Sequence, residues 1–151
     1  MSKDMEMTEQ RSPTLGYLLS DSLRLLRRRF NKRSRGSGLT PALARLLYYI
    51  HRDPGSRQID LAQLLEVTPV TLGRMLDRLA RLQYITRTPD PVDRRVVRVF
   101  TTEAAAPTID QLSSFVNEGT RAALAGISQE RQQQLFELLE QIILNLNRNT
   151  P

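Results

Sequence analysis

The side chains best suited to chemistry in this sequence follow a helix start signal at Thr68-Pro69. Thr is a favoured helix cap, and Pro loses no hydrogen bond at the first helical position. In such a helix the hydroxyls of Thr68 and Thr71 can bond to phosphate or to a base edge. Arg74, three residues further on, can bond to guanine through two parallel hydrogen bonds. The residues predicted to face a duplex are Thr68, Pro69, Val70, Thr71, Arg74 and Arg78.

Two of these residues have a second interpretation. Thr68 is also explained as a helix cap and nothing more. Val70 either contacts the methyl group of a thymine or belongs to the apolar core. The free N–H groups of the helix start favour a nearby phosphate under either interpretation.

A second group of charged side chains lies in a loop rich in Pro and Asp at residues 89–93. Asp93, Arg94 and Arg95 stand at the end of this loop. Arginines beside a helix in the major groove can reach the adjacent minor groove, where narrow A·T-rich segments attract a guanidinium. The alternative is a solvated hairpin tip with an ordinary surface ion pair, worth about 0–1 kcal/mol.

Hydrophobic periodicity predicts the helices that precede these two groups. Apolar residues recur at steps of three and four over residues 15–30, opposite a basic run at 24–35, and the sequence GSG at 36–38 ends that helix. A second helix begins at Thr40-Pro41 and stops at the turn signal of residues 53–55.

The middle of the chain has the pattern of a helix-turn-helix followed by a wing. A compact helix over residues 61–65 is joined by a tight turn to one that runs from Thr68 to about Gln83. Residues 84–88 predict a strand, 89–93 a loop and 95–100 the return strand. The expected inward residues of the longer helix are Leu72, Met75 or Leu76, Leu79 and Leu82.

Two further helices complete the predicted fold. Thr102-Glu103 is expected to start a helix that runs to about Ala125, and Ser128 is expected to cap the last one. The fold class predicted is mainly α with a small β wing, a winged helix with six helices in all. The apolar stripe of the last helix consists of Leu135, Leu138, Leu139, Ile142 and Leu146.

Charge is unevenly distributed along the chain. The 151 residues carry a net charge of +6, but residues 1–98 hold 19 basic and 10 acidic side chains, whereas residues 99–151 hold 3 and 6. The positive field of the first part favours a polyanionic partner. With no cysteine and a single histidine, disulfides and thiolate chemistry are excluded and a zinc site is disfavoured. No catalytic triad, phosphate loop or metal cluster is recognisable, so the sequence predicts a non-enzyme that needs no cofactor or metal.

The sequence resembles the multiple-antibiotic-resistance regulator (MarR) family of winged helix-turn-helix transcriptional regulators. The resemblance is carried by the runs 60–65 (DLAQLL), 74–79 (RMLDRL) and 90–95 (DPVDRR). The family's wing pattern, Asp-x-Arg, is supplied here by Asp93 and Arg95, and Thr102 matches the Thr that starts the next helix. Thr101 replaces the usual leucine. The resemblance extends over residues 15–146, and residues 126–128 (GIS) are most similar to the SlyA-type branch.

The resemblance implies a sequence-specific regulator, a repressor, that binds double-stranded DNA. Members place the second helix of the helix-turn-helix in the major groove and a wing arginine in the minor groove. This assigns minor-groove insertion to Arg95. Asp93 would then hold the wing, either by pairing with an arginine or by capping the turn.

The two ends of the chain are predicted to form a dimer. The apolar stripes on residues 15–30 and 131–146 exceed what a winged-helix core can cover. Family members pair such helices with a second subunit, which implies a near-palindromic site with half-sites about 34 Å apart. The predicted organisation is a flexible tail (1–13), a winged helix-turn-helix DNA-binding domain (39–102) and a helical dimerisation region (14–38 with 103–151).

The resemblance also implies a small, often aromatic, anion as effector, bound between the dimer helices and the winged domain. Such a ligand would stabilise a dimer whose two reading helices have the wrong spacing for DNA. The alternative is that these Tyr and His side chains are ordinary core or surface residues, which is the more common role of such residues on a helix. The basic run at 24–35 could flank the DNA, line that pocket or be a solvated face. The candidate ligand residues are Arg24, Tyr48, Tyr49 and His51.

Two other functions remain open at this point, a winged-helix protein–protein adaptor and an activator that displaces nucleoid proteins. The seven Arg and three Asp of residues 74–98 argue against the adaptor. DNA binding should weaken steeply with salt, whereas an apolar adaptor surface should not. The polar first residues and the lack of a long apolar run predict a cytoplasmic protein with no membrane partner.

Overall fold

The computed structural model describes residues 14–148. In chain order the helices are α1 (Leu15–Ser34), α2 (Pro41–Arg52), α3 (Gln58–Leu65), α4 (Pro69–Arg81), α5 (Ala106–Ala123) and α6 (Gln129–Arg148). Strands β1 (Ser56–Arg57), β2 (Ile85–Pro89) and β3 (Val97–Thr101) form one antiparallel sheet in the order β1-β3-β2. The predicted class, mainly α with six helices and a small β wing, is confirmed for this part of the chain. The predicted tail at residues 1–13 lies outside the described residues.

Threonine hydroxyls start three of the helices. Thr14, Thr40 and Thr68 each accept a hydrogen bond from the backbone N–H three residues later. Proline stands in the first turn of α2 and of α4, where its missing N–H is not needed. The predicted starts of these two helices are therefore confirmed.

The core of the winged part is built around α2. One face of this helix is buried at Leu43, Leu46, Leu47 and Ile50. α3, α4, β3 and the first half of α5 pack their apolar residues against it. The buried residues that these elements contribute are Leu61, Ala62, Leu72, Leu76, Leu79, Val99, Ile109 and Leu112.

The first and last helices lie largely outside this core. α1 buries Phe30 and Ser34, and α6 buries no residue. None of the helices within residues 14–148 is long and apolar enough to cross a lipid bilayer. The large apolar side chains left exposed on these two helices include Leu15, Leu18, Leu19, Leu23, Leu26, Leu135, Phe136, Leu138, Ile143 and Leu144.

The structure adds a strand that the sequence pattern did not reveal. β1 is two residues long and pairs with β3, with Ser56 opposite Val99 and Arg57 opposite Arg98. A two-residue strand has no alternation to detect, so only its partner makes it visible. β3 begins at Val97 rather than at the predicted position 95, because Val96 still belongs to the wing turn through its hydrogen bond to the carbonyl of Asp93.

Two predicted residue environments are wrong. Leu82 is 44% exposed instead of inward, because α4 ends at Arg81 and the next turn carries Gln83 at a φ of 61°. Thr102 does not cap an α-helix with its side chain. Its hydroxyl donates to the carbonyl of Gln83 at 2.5 Å, and a 3-10 turn (Glu103–Ala105) precedes α5.

Candidate nucleic-acid interface

The exposed face of α4 collects the predicted DNA-contacting side chains. Leu72, Leu76 and Leu79 bury the opposite face, which fixes the rotation of the helix. Val70 is 66% exposed, so its interpretation as a core residue is wrong. The exposed residues of this face are Thr68, Pro69, Val70, Thr71, Arg74 and Arg78.

The guanidinium groups on this face are available to a ligand. The side chains of Arg74 and Arg78 make no hydrogen bond or ion pair with any residue in the described part of the chain, 14–148. Thr68 acts as a cap, because its hydroxyl oxygen accepts from the Thr71 N–H at 3.1 Å and its proton goes to the Thr71 hydroxyl at 3.0 Å. The Thr71 hydroxyl therefore keeps its own proton free to donate.

Asp90 organises the turn of the wing. Its Oδ1 atom accepts from the backbone N–H groups of Val92 at 2.8 Å and Asp93 at 3.0 Å, and its Oδ2 atom accepts from Nε of Arg98. These bonds, above all that from the Asp93 N–H, lower the pKa of Asp90 to about 2. Arg98 also donates from Nη1 to the carbonyl of Gly55 at 2.9 Å. The base of the wing is thereby fixed to the turn that follows α2.

Arg95 lies on the outer side of the wing with its side chain 91% exposed. Its Nε and Nη2 atoms donate to the Asp93 carboxylate at 3.1 and 3.3 Å, and its backbone N–H donates there at 3.0 Å. These bonds lower the pKa of Asp93. Asp93 thus both pairs with an arginine and closes the turn. Because an exposed ion pair contributes only about 0–1 kcal/mol, Arg95 can exchange this carboxylate for a nucleic acid at low cost.

A cleft of about 270 Å³ separates α4 from the wing. Pro69 and Leu72 line one side, Arg95 lines the other, and Arg57 lies at the start of α3 between them. Arg57 is held by two bonds to Asp60, at 2.7 and 2.8 Å, which raise the pKa of the guanidinium. The sequence analysis did not single out Arg57, since its approach to the wing depends on the pairing of β1 with β3.

Asp90 and Arg98 were also missed as site residues. An Asp directly before Pro is a known turn former, so the sequence carried a signal for Asp90. Arg98 lies opposite Thr88 on β2, and only this register brings it back towards the start of the loop. Its role depends on tertiary structure and has no local signature.

The four candidate ligand residues are not brought together. Tyr48 and Tyr49, with ring centroids 6.3 Å apart, line a cavity of about 340 Å³ between α1, α2 and α5. Arg24 lies on another side of α1 and pairs with Asp21 at 2.6 Å. His51 is exposed and does not line this cavity. The cation that does line it on α1 is Arg27.

Comparison with known proteins identifies the fold and the family of its central part. The MarR family model matches residues 39–97. A crystal structure of MarR superposes with a TM-score of 0.75 at 25% identity, covering 93% of this chain and 96% of that one. A mutant MarR from E. coli complexed with operator DNA gives a TM-score of 0.63 at 26% identity, covering 85% and 92%.

The regulator SlyA shares the fold as well, with a TM-score of 0.69 at 23% identity, covering 87% of this chain and 93% of that one. This likeness is of the same order as the likeness to MarR, so it gives the SlyA-type branch no preference. Residues 39–97 form a MarR-family domain, and the chain as a whole has the winged helix fold of the MarR transcriptional regulators.

Proposed function

We propose that this protein is a homodimeric transcriptional regulator that binds operator DNA and represses transcription. α4 would enter the major groove, and the wing would place Arg95 in the adjacent minor groove. The observation that carries the proposal is Arg74, in the middle of the exposed face of α4 with no partner within residues 14–148. The likeness to a MarR bound to operator DNA supports the same conclusion.

Each exposed group has a contact that suits its chemistry. Arg74 is suited to the O6 and N7 atoms of guanine, and Val70 to the methyl group of thymine. Thr71 can donate its free hydroxyl proton to a phosphate or to a base acceptor. Arg57, at the cleft between α4 and the wing, is placed to neutralise the phosphate strand that would pass there.

The second copy of the chain is the partner proposed for α1 and α6. Their apolar side chains are exposed over most of the length of both helices, and single soluble subunits rarely leave such continuous apolar surface. A two-fold dimer would present two copies of α4 to one side of a duplex, about 34 Å apart. Light scattering at micromolar concentration should give the mass of a dimer, and the mass of a monomer would overturn this part.

The DNA-binding proposal is tested by selecting bound fragments from random duplex DNA. We expect enrichment of a near-palindrome and an affinity that falls steeply with salt. Arg74→Ala should relax the preference at one base position of each half-site, whereas Arg121→Ala, at an exposed site on α5, should leave the selected sequence unchanged. Failure to enrich any sequence, with salt-independent binding to other proteins, would favour the adaptor function instead.

We propose a small aromatic anion as the effector that releases the DNA. In the cavity between α1, α2 and α5, the Nε atom of Arg27 is buried and has no hydrogen-bond partner within the described residues. Buried donors are normally satisfied, so this one has capacity for an added acceptor. The rings of Tyr48, Tyr49 and Phe115 supply apolar walls.

Benzoate is a suitable probe for this cavity. Calorimetric titration should detect binding to the wild-type protein and a large loss of affinity in Arg27→Gln. Arg24→Gln, which removes a cation from α1 outside the cavity, is the matched control. Equal affinities for all three proteins, or no release of operator DNA by the carboxylate, would contradict the effector proposal.

A further inference from the structure

α1 carries a row of cations that the proposed DNA contacts do not use. Arg24, Arg28, Lys32 and Arg35 recur at steps of four, four and three, which places them along one side of the helix and its C-terminal cap. Most apolar residues of α1 lie on the other side, where they approach α5 or remain exposed, although Leu23 and Leu25 border the cations. This row of four cations is named here the α1 basic row.

Most of the charge in the α1 basic row is uncompensated. Arg24 pairs with Asp21, but the side chains of Arg28, Lys32 and Arg35 have no hydrogen bond or ion pair with any residue between 14 and 148. Like charges four residues apart weaken a helix. The row is thus unfavourable in the free protein, and an anionic partner would relieve this repulsion.

The α1 basic row lies close to the turn of the helix-turn-helix. Its four cations line a surface groove of about 840 Å³ together with Ser20, Leu23, Arg27 and Asn31. The groove reaches Glu66, in the turn between α3 and α4, two residues before Thr68. The α1 basic row is therefore continuous with the side of the molecule on which α4 begins.

We propose that the α1 basic row binds the phosphate backbone of the DNA outside the base pairs contacted by α4 and the wing. This inference rests on the proposed function, since it requires that α4 engages a duplex. Phosphates suit the row because its four cations are exposed and regularly spaced and three of them are unpaired. A small anion would meet a wide surface groove that does not enclose it, and a second subunit is better accommodated by the side of α1 that carries most of its leucines.

The test compares two triple variants that lose the same charge. R28Q/K32Q/R35Q removes the unpaired part of the row, and R121Q/R131Q/R148Q removes three exposed cations from α5 and α6. For each, the dissociation constant for a selected operator duplex is measured over a series of salt concentrations. Removal of one phosphate-binding cation should lower the slope of log K against log salt by about 0.9. We expect this decrease in the first variant only, with an unchanged order of preference among operator sequences.

A second readout is the length of the duplex. Shortening the flanks of the operator should weaken binding by the wild-type protein and leave R28Q/K32Q/R35Q nearly unaffected, because this variant no longer has the cations that would bind the flanks. R28K/R35K, which keeps all three charges, should have the salt slope of the wild-type protein, since charge rather than guanidinium shape is needed for a phosphate. Circular dichroism and light scattering establish that each variant keeps its helices and its oligomeric state.

The outcomes separate this inference from the proposed function. If R28Q/K32Q/R35Q has the salt slope of the control variant while Arg95→Ala loses operator binding, the inference is wrong and the regulator function stands. If the wild-type protein selects no duplex, the function itself is wrong. Loss of the dimer in R28Q/K32Q/R35Q alone would identify the row as an interface between subunits and would overturn the inference.

Discussion

The winged part of the chain and the helices that flank it differ in how far their apolar side chains are buried. From α2 to the start of α5, most of the leucines pack against one another, and the exposed positions of α4 include Thr71, Arg74 and Arg78. In α1 and α6 the leucines are exposed, and α6 buries no residue. A region that buries its own apolar residues leaves a polar surface that can bind a polar ligand. A region with exposed apolar residues needs another protein surface to cover them.

The largest expected effect contrasts one leucine from each region. Leu76 is fully buried, so Leu76→Ala should lower the free energy of unfolding by about 2–5 kcal/mol. Leu138 is 63% exposed, so Leu138→Ala should leave the subunit stable but make the melting temperature more dependent on protein concentration. Denaturation at several protein concentrations measures both effects. If both variants lost similar free energy of unfolding, independent of protein concentration, the two regions would not differ in how their leucines contribute to stability.

Arg95→Ala should act on DNA binding without acting on the fold. A base contact of about 1–3 kcal/mol corresponds to roughly tenfold to a hundredfold in affinity for each half-site. The free energy of unfolding should change little, since the ion pair with Asp93 is exposed. Gel-shift assays at matched salt measure the affinity, with Arg121→Ala as the control. If Arg95→Ala binds the operator as tightly as the wild-type protein, the wing is a solvated hairpin that makes no important contact with DNA.

Two capping threonines provide a smaller and closely matched comparison. Thr68→Ala and Thr14→Ala each remove the hydroxyl that accepts from the backbone at a helix start, so each should lower the free energy of unfolding by about 1 kcal/mol. Only Thr68→Ala should also weaken binding to DNA, because Thr14 lies at the start of α1. Equal effects on DNA binding would mean that the cap of α4 contributes to binding only through stability.

The last comparison concerns the pH dependence of stability and is made with Asp90→Asn. The pKa of Asp90 is about 2 in the folded protein and close to the ordinary value of about 3.9 when unfolded. The carboxylate therefore adds stability above the unfolded value, and this stability is lost as the pH falls through the folded one. Unfolding curves between pH 5 and pH 2 should be less dependent on pH in Asp90→Asn than in the wild-type protein. Asp110→Asn, at an exposed position of α5, should keep the wild-type dependence.

Local signals account for most of what the sequence predicted correctly. Thr40-Pro41 and Thr68-Pro69 fix helix starts through a hydroxyl and a missing N–H, which are properties of adjacent residues. The inward positions Leu72, Leu76 and Leu79 follow from the helical period. The division of the chain into a DNA-binding domain and a dimerisation region remains a prediction.

The features that were missed depend on contacts between distant segments. β1 exists only because β3 passes beside it, and Arg98 reaches both Asp90 and Gly55 only in the register of the folded sheet. The cavity beside Tyr48 and Tyr49 is formed by three helices, so no local pattern indicated that Arg27 would line it while Arg24 would not. Periodicity places a residue on a face of a helix but does not say what that face meets.

Gly55, in the turn that follows α2, connects this helix to the wing through hydrogen bonds with β3. The Gly55 N–H donates to the Val99 carbonyl at 2.9 Å, and the Gly55 carbonyl accepts from the Arg98 side chain. Two adjacent residues of β3 therefore bind the backbone N–H and C=O of Gly55. Its φ of 81° and the Phe100 ring, 3.1 Å from where a Cβ would lie, disfavour any residue other than glycine at this position. These bonds tie the base of the wing to the C-terminal end of α2. α2 also forms a wall of the cavity between α1, α2 and α5. A ligand that tilted α2 from this cavity would therefore change the orientation of the wing and of Arg95.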